Sequence, residues 1–239
     1  MTKDEQKQAA ATGAIDTLIA EGKIFSGMRI GLGTGSTAMP AVRRLWQRIQ
    51  DGTLRDIAAV PTSFQTQLAC ESYGIPVFSL SSRRIAGHLD LCIDGADEID
   101  MQNNLIKGGG AALLREKLCA YNSSVYAIVA DESTSVPDLG TRFPLPVEII
   151  PEAHCSVVNA LQDTLGAECT LREGVRKCGP VITDNGNFIV DCLWRSPVEP
   201  GALEDRINAI AGVVECGFFT KLRPTVFIAQ ADGTLNVRK

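Results

Sequence analysis

Apolar positions in the first half of the chain alternate between two spacings. Residues 4–21 put Ala9, Ala14, Ile15, Leu18 and Ile19 on one face at helical spacing, and Gly22 ends the run. Met28–Leu32 is a short continuous apolar stretch, which predicts a strand. A Gly-rich turn follows, and helical spacing then returns from Thr37 to Ile49 through Met39, Val42, Leu45, Trp46 and Ile49. Strands are expected at Asp56–Val60, Pro76–Leu80, Leu89–Ile93 and Val125–Ala130, with helices at Phe64–Tyr73 and Ala111–Tyr121. Repeated strand–turn–helix units of this kind predict an α/β fold, a mainly parallel sheet with helices on both faces.

The pattern changes near Pro137. A strand at Val147–Ile150 is bounded by prolines and leads to a helix at Ala153–Leu165. Short strands follow at Thr170–Arg172, Pro180–Asp184 and Phe188–Leu193, and the Asp-Asn-Gly-Asn turn at 184–187 reads as a hairpin. A helix at Leu203–Ile210 and a strand at Val213–Phe219 complete a small α+β domain, after which Thr225–Ala229 returns to the first sheet. The expected division is 1–138 with 219–239 for the larger domain and 139–218 for the smaller, inserted one.

Composition narrows the function classes. At 239 residues, with 45% hydrophobic and 21% charged positions, the chain suits a globular protein with a sizeable core. Its formal net charge of -5 argues against general nucleic-acid binding, which needs a basic face. No run approaches the length of a membrane span, and the N-terminal residues lack the apolar segment of a signal peptide, so a cytoplasmic location is expected. The 8 cysteines form no CxxC pair and read as buried, reduced thiols; their even count alone does not establish disulfides. With only 2 histidines, both outside every motif, acid–base chemistry falls to carboxylates and lysine.

Chemistry concentrates in DGADEIDMQNNLIKGGGAALLREK, from Asp94 to Lys117. Asp94 and Asp97 lead into Lys107 and then Gly108-Gly109-Gly110, and Glu116 lies within the helix that follows. Three glycines in a row are unfavourable inside any helix or strand. Acids, a cation and bare backbone amides in one span suit proton transfer beside a bound anion. A solvated acidic loop is the plainer reading. The spacing does not fit an EF-hand, although Mg²⁺ held by Asp94 and Asp97 is compatible with it. Earlier in the chain, Gly33-Thr34-Gly35-Ser36-Thr37-Ala38 joins a strand to a helix, the setting in which backbone N–H groups meet an anion. It is not a Walker A loop. It matches a dinucleotide pattern only loosely, because no acid ends the second strand. Its hydroxyls suit a terminal phosphate monoester; alternatively Ser36 or Thr37 simply caps the helix.

GLGTGSTA, VPTSFQTQLA, DGADEID, IKGGGAALLREK, FPLPVEIIP and TDNGN, in this order, resemble the type A ribose-5-phosphate isomerases over most of the chain. The resemblance implies a Rossmann-like domain with a smaller ferredoxin-like α+β lid. It also implies an aldose–ketose isomerase that interconverts D-ribose 5-phosphate and D-ribulose 5-phosphate through an enediolate. Carried over by motif, Glu116 is the proton acceptor, Lys107, Asp94 and Asp97 line the sugar, and Thr34, Gly35, Ser36, Thr37, Gly95, Ala96, Gly108, Gly109 and Gly110 complete the substrate site. No cofactor and no metal are required by this scheme. The family implies a homo-oligomer, dimer or tetramer, with no nucleic-acid or membrane partner. One position departs from the pattern: after Ala130-Asp131-Glu132-Ser133 the family's usual lysine is Thr134, which keeps a hydroxyl and loses a charge. Either substrate binding weakens or another cation (Lys3, Lys7, Lys221 or Arg223) compensates. Two rival classes are a sugar-phosphate sensor, which needs an output module for which the N-terminal residues leave no space, and acyl or CoA transfer through a glutamate nucleophile.

Overall fold

The Thr2 hydroxyl accepts from the Glu5 N–H while the Glu5 carboxylate accepts from the Thr2 N–H, a reciprocal cap that starts helix α1 (Lys3–Ala20). The computed structural model describes residues 1–239. In chain order α1 is followed by β1 (Arg29–Leu32), α2 (Met39–Gln50), β2 (Ala58–Pro61), α3 (Phe64–Ser72), β3 (Leu89–Asp94), β4 (Glu98–Ile99), β5 (Leu105–Ile106) and α4 (Leu113–Tyr121). Then come β6 (Ser123–Asp131), β7 (Leu145–Ile149), α5 (His154–Leu165), β8 (Glu168–Leu171), β9 (Phe188–Leu193), α6 (Pro200–Asn208), β10 (Val213–Cys216), β11 (Phe218–Phe219), β12 (Thr225–Ala229) and β13 (Leu235–Arg238).

Two compact units result. One comprises Met1–Gly95, Arg115–Thr134 and Leu222–Lys239; the other comprises Ala96–Leu114 and Ser135–Lys221. The first is built on a six-stranded sheet in the order β13-β12-β6-β3-β1-β2, parallel except for β13 at its edge. Its inner strands carry continuous apolar stretches, such as Tyr126–Ala130 of β6, as expected of a parallel sheet covered on both faces. Ala10, Ala14, Ile15 and Leu18 of α1 and Val42 and Leu45 of α2 share a core with Ile30, Leu32, Leu91, Ile93, Ala127, Val129 and Phe227. Each fully buried Leu, Ile or Phe of this kind contributes about 1.5–3 kcal/mol relative to exposure. No helix is long and apolar enough to cross a membrane.

The second unit holds a four-stranded antiparallel sheet, β10-β7-β9-β8, and a three-stranded one, β11-β5-β4. Val147, Ile149, Val190, Val157, Leu161 and Ile207 lie in its core. Glu98 is buried here, and its carboxylate accepts from the backbone N–H groups of Gly140, Arg142 and Phe143. Glu148, also buried, accepts from the Thr183 hydroxyl and from the side-chain amides of Asn185 and Asn187.

Three expected elements differ. The strand expected at Pro76–Leu80 is a single parallel bridge, Ala59 to Val77, because Pro76 has no N–H to extend a ladder. The Asp-Asn-Gly-Asn turn does not join two strands; β9 pairs with β7 and β8, and the residues before the turn make only an isolated bridge, Glu173 to Pro180. The turn's asparagines serve Glu148 instead. The strand expected at Val213–Phe219 breaks at Gly217, where a side chain would strike the Lys107 carbonyl and sit 2.8 Å from Pro146 Cδ, so β10 and β11 enter different sheets.

Candidate active site

The strand order reverses about β1: β2 lies on one side of it and β3 on the other, both parallel to it, which makes the carboxyl ends of β1 and β3 the switch point of the sheet. Asp94 ends β3 there, fully buried. Its Oδ1 accepts from the Thr34 N–H at 3.1 Å and from the Gly95 N–H at 2.7 Å. Gly33 has to be glycine: a Cβ there would overlap the Asp94 carboxylate and lie 2.6 Å from its Cα. Beside it, the Thr34 hydroxyl joins those of Thr62 and Ser63 at 2.7 and 2.8 Å, and the Thr66 hydroxyl donates to the Gly33 carbonyl at 2.7 Å. These bonds fix the turn from below and leave Ser36 at the surface, where it receives the Lys7 ammonium of α1 at 3.0 Å. Neither Ser36 nor Thr37 caps α2. Ala38 occupies that position and provides no side-chain cap. The Thr37 Cβ lies 3.2 Å from where a side chain of Gly95 would begin, so the turn and the acidic loop touch.

Glu116 lies in α4 and is buried, at 4% exposure. It and Asp94 act on the same neighbours. Burial pushes the Cys119 thiol up to about 12, and the Asp94 and Glu116 carboxylates push in the same direction. The Tyr126 hydroxyl is likewise raised, by burial first and then by Asp94, Cys92 and Glu116. Thr134 is buried in a single 3₁₀ turn, Glu132–Thr134, that follows β6. Its neighbour Ser133 donates from its N–H to Asp131 Oδ1 at 3.0 Å.

In the second unit, the Asp97 N–H bonds the Ile106 carbonyl at 2.9 Å, and Asp97 Oδ2 accepts from the Gly109 N–H at 2.8 Å. A side chain on Gly109 would meet Asp97 Oδ1 at 2.6 Å and the Phe143 ring at 3.1 Å. Gly108 has φ +109° and would meet Leu113 at 2.7 Å, so both its conformation and its crowding demand glycine. Lys107 is 2% exposed, which for a lysine implies a specific environment. Its backbone N–H bonds the Gly217 carbonyl at 2.9 Å, and its Nζ stands 5.7 Å from the Phe219 ring centre.

Within the first unit, then, Thr34–Thr37, Asp94 and Gly95 come together, with Glu116 acting on the same neighbours as Asp94. Within the second, Asp97 and Gly109 meet. Lys7 was one of four compensating cations read from the sequence; it is the one bonded to the Gly-rich turn, while Lys221 pairs with Asp205 at 2.7 Å. Thr62, Ser63 and Thr66 were missed as supports of the turn. Their one sequence signal is a pair of hydroxyls, Thr62 and Ser63, directly after a strand's carboxyl end, with Thr66 one helical turn on.

The family model for ribose 5-phosphate isomerase A (phosphoriboisomerase A) matches residues 58–233. The chain is 59% identical over 237 residues to the ribose-5-phosphate isomerase A of Treponema denticola, covering 98% of this chain and 99% of that protein. It is similar to a solved D-ribose-5-phosphate isomerase in complex with phospho-erythronic acid (38% identity, 100% of both chains, TM-score 0.91). A ribose 5-phosphate isomerase A from Methanocaldococcus jannaschii is comparably close (39% identity, 98% of both chains, TM-score 0.89). The 59% identity to one isomerase, with a mainly parallel sheet and a separate antiparallel one in a fold shared with two solved ones over 98–100% of each chain, makes this an α/β enzyme of the isomerase class. More narrowly, the chain belongs to the ribose 5-phosphate isomerase A family.

Proposed function

We propose that the protein interconverts D-ribose 5-phosphate and D-ribulose 5-phosphate in the non-oxidative branch of the pentose phosphate pathway. The observation that carries the reading is the burial of three ionisable side chains in the motif shared with the family: Asp94 at 0%, Lys107 at 2% and Glu116 at 4% exposure. A buried ionisable group needs either structural partners, as Glu98 and Glu148 have, or a chemical role, and these three lie together in the shared motif.

The phosphate binds at Thr34-Gly35-Ser36-Thr37. Lys7 supplies the charge there, the Ser36 and Thr37 hydroxyls supply hydrogen bonds, and the N-terminus of α2 adds the positive end of the helix dipole. Asp94 carries the hydroxyl proton during opening of the furanose ring, and Asp97 orients the hydroxyls. The Glu116 carboxylate takes the proton from C2. Electrons of the broken C–H bond form the C1=C2 double bond of the enediolate, the O2 hydroxyl proton passes to O1, and the same carboxyl group returns its proton to C1, leaving the C2 carbonyl. A positioned base of this type is worth about 10²–10⁴-fold in rate. Negative charge developing on the enediolate oxygens is met by the Lys107 ammonium and the amides of the Gly108-Gly109-Gly110 loop other than that of Gly109, which Asp97 holds; one donor of such a set typically contributes about 10²–10³-fold. The backbone of Gly95 and Ala96 and the hydroxyl of Thr134 line the sugar. Thr134 gives a hydrogen bond where the family's usual lysine gives a charge, and Lys7 stands as the compensating cation.

The reading extends to a homo-oligomer in the cytoplasm. Phe64 and Leu118, 52% and 45% exposed, line one groove of the first unit and support self-association. None of the eight cysteines is in a disulfide, which fits a reducing compartment. The test of the activity is a coupled assay with ribose 5-phosphate, run with and without a chelator. Chelator-insensitive formation of ribulose 5-phosphate is expected; no ketose above the uncatalysed rate contradicts the proposal.

A further inference from the structure

Arg172, just beyond β8, belongs to none of the motifs discussed above, yet its guanidinium touches the triglycine loop. Nε and Nη2 face the Asp191 carboxylate at 2.8 and 2.5 Å, and Nη1 donates to the carbonyl oxygens of Gly108 at 2.9 Å and Gly109 at 3.2 Å. The Arg172 and Asp191 side chains are 16% and 20% exposed. The two-pronged pairing with Asp191 on β9 fixes the plane of the guanidinium, so Nη1 is held by the sheet rather than carried on a free stem.

The direction of those carbonyls decides the direction of the amides. A trans peptide points its C=O and N–H opposite ways. With the Gly108 and Gly109 oxygens drawn to one nitrogen, the first shared with the Ala111 N–H at 3.0 Å, the N–H groups of Gly109 and Gly110 both face away from Arg172. Successive N–H groups turned to one side form the concavity in which anions bind. The first of them meets Asp97 Oδ2 at 2.8 Å, so the same geometry also places that carboxylate. Glycines have no side chain to fix these planes and the most conformational freedom to lose.

We propose that Arg172, braced by Asp191, is a positioning residue that aims the Gly109 and Gly110 amides and, through Gly109, the Asp97 carboxylate. The catalytic consequence rests on the isomerase reading above; the geometric one does not. Two variants, Arg172→Ala and Arg172→Lys, test it, because lysine keeps the charge but cannot span Asp191 and two carbonyls. In folded protein at 25 °C, kcat for ribose 5-phosphate is expected to fall about 10²-fold in both, while KM moves less than about threefold. Added methylguanidinium should return at least about tenfold of the activity of Arg172→Ala and none to Arg172→Lys. In ¹⁵N-glycine-labelled protein, amide exchange at Gly109 is expected to quicken by at least about tenfold in either variant. Unchanged Gly109 exchange overturns the proposal whatever the activity; a kcat within about threefold of wild type with quickened exchange overturns its catalytic part. An inactive wild-type enzyme sinks the isomerase reading alone, since the exchange measurement still decides the clamp.

Discussion

The Thr34 N–H donates to Asp94 Oδ1 at 3.1 Å, tying the turn after β1 to the last residue of β3. That bond is possible only because Gly33 leaves room for the carboxylate. One glycine therefore lets the expected phosphate site and the expected ring-opening acid share the switch point of a parallel sheet.

Gly33→Ala tests this relation directly. The new methyl overlaps Asp94, so the carboxylate or the turn must shift. Overpacking of this kind costs about 1–3 kcal/mol. Turnover of ribose 5-phosphate should fall at least about 10²-fold, the consequence of misplacing reacting groups by an ångström. Thermal unfolding and steady-state kinetics on the same preparation check both. Wild-type turnover in the variant would mean that Asp94 need not sit where it does.

Lys7→Ala addresses the phosphate. A hydrogen bond to a charged group is worth about 1.5–3 kcal/mol, so KM should rise about 10- to 100-fold, with kcat changed far less. Inhibition by inorganic phosphate should weaken in parallel. An unchanged KM would remove Lys7 from the site and leave the charge missing at Thr134 uncompensated.

Acid sensitivity should trace in part to Asp90. Arg29 hydrogen-bonds its carboxylate from the side chain and the backbone, and this holds its pKa below the ordinary carboxylate range. A group depressed on folding adds stability that is fully present above its unfolded pKa of about 3.9 and is lost as pH falls through the lower folded value. The pair is partly exposed, so the gain is at most about 1 kcal/mol. Urea unfolding of wild type and Asp90→Asn should differ at pH 6 and converge toward pH 3; a gap that persists at pH 3 would point to a lost hydrogen bond rather than the charge.

The parallel sheet was legible because its signals are local. Apolar runs, helical spacing and punctuating glycines such as Gly22 lie within single elements. Elements held by distant partners were not. β4 and β5 are two residues each and are held by pairing with each other, with β11 and, at Ile99, with Ser135, and β13 pairs at an edge without an apolar run of its own. The hairpin misreading has the same origin: the Asp-Asn-Gly-Asn signal is real as a turn, but its asparagines are committed to Glu148. In the site, the shared motifs pointed to Asp94, Lys107 and Glu116. Lys7 at Ser36, Thr62 and Ser63 beneath Thr34, and Arg172 behind the triglycine loop depend on contacts between distant segments, which no local pattern carries.

Glu116 is the proton-transferring base of the proposed reaction. Glu116→Gln keeps the volume of the side chain and removes its capacity to accept a proton, so the variant should unfold within a few degrees of wild type yet lose nearly all turnover, about 10²-fold or more. The decisive measurement is kcat of this variant with ribose 5-phosphate under conditions where wild type is saturated. A fall of that size in folded protein is the predicted result; turnover at the wild-type rate would contradict the assignment of the base.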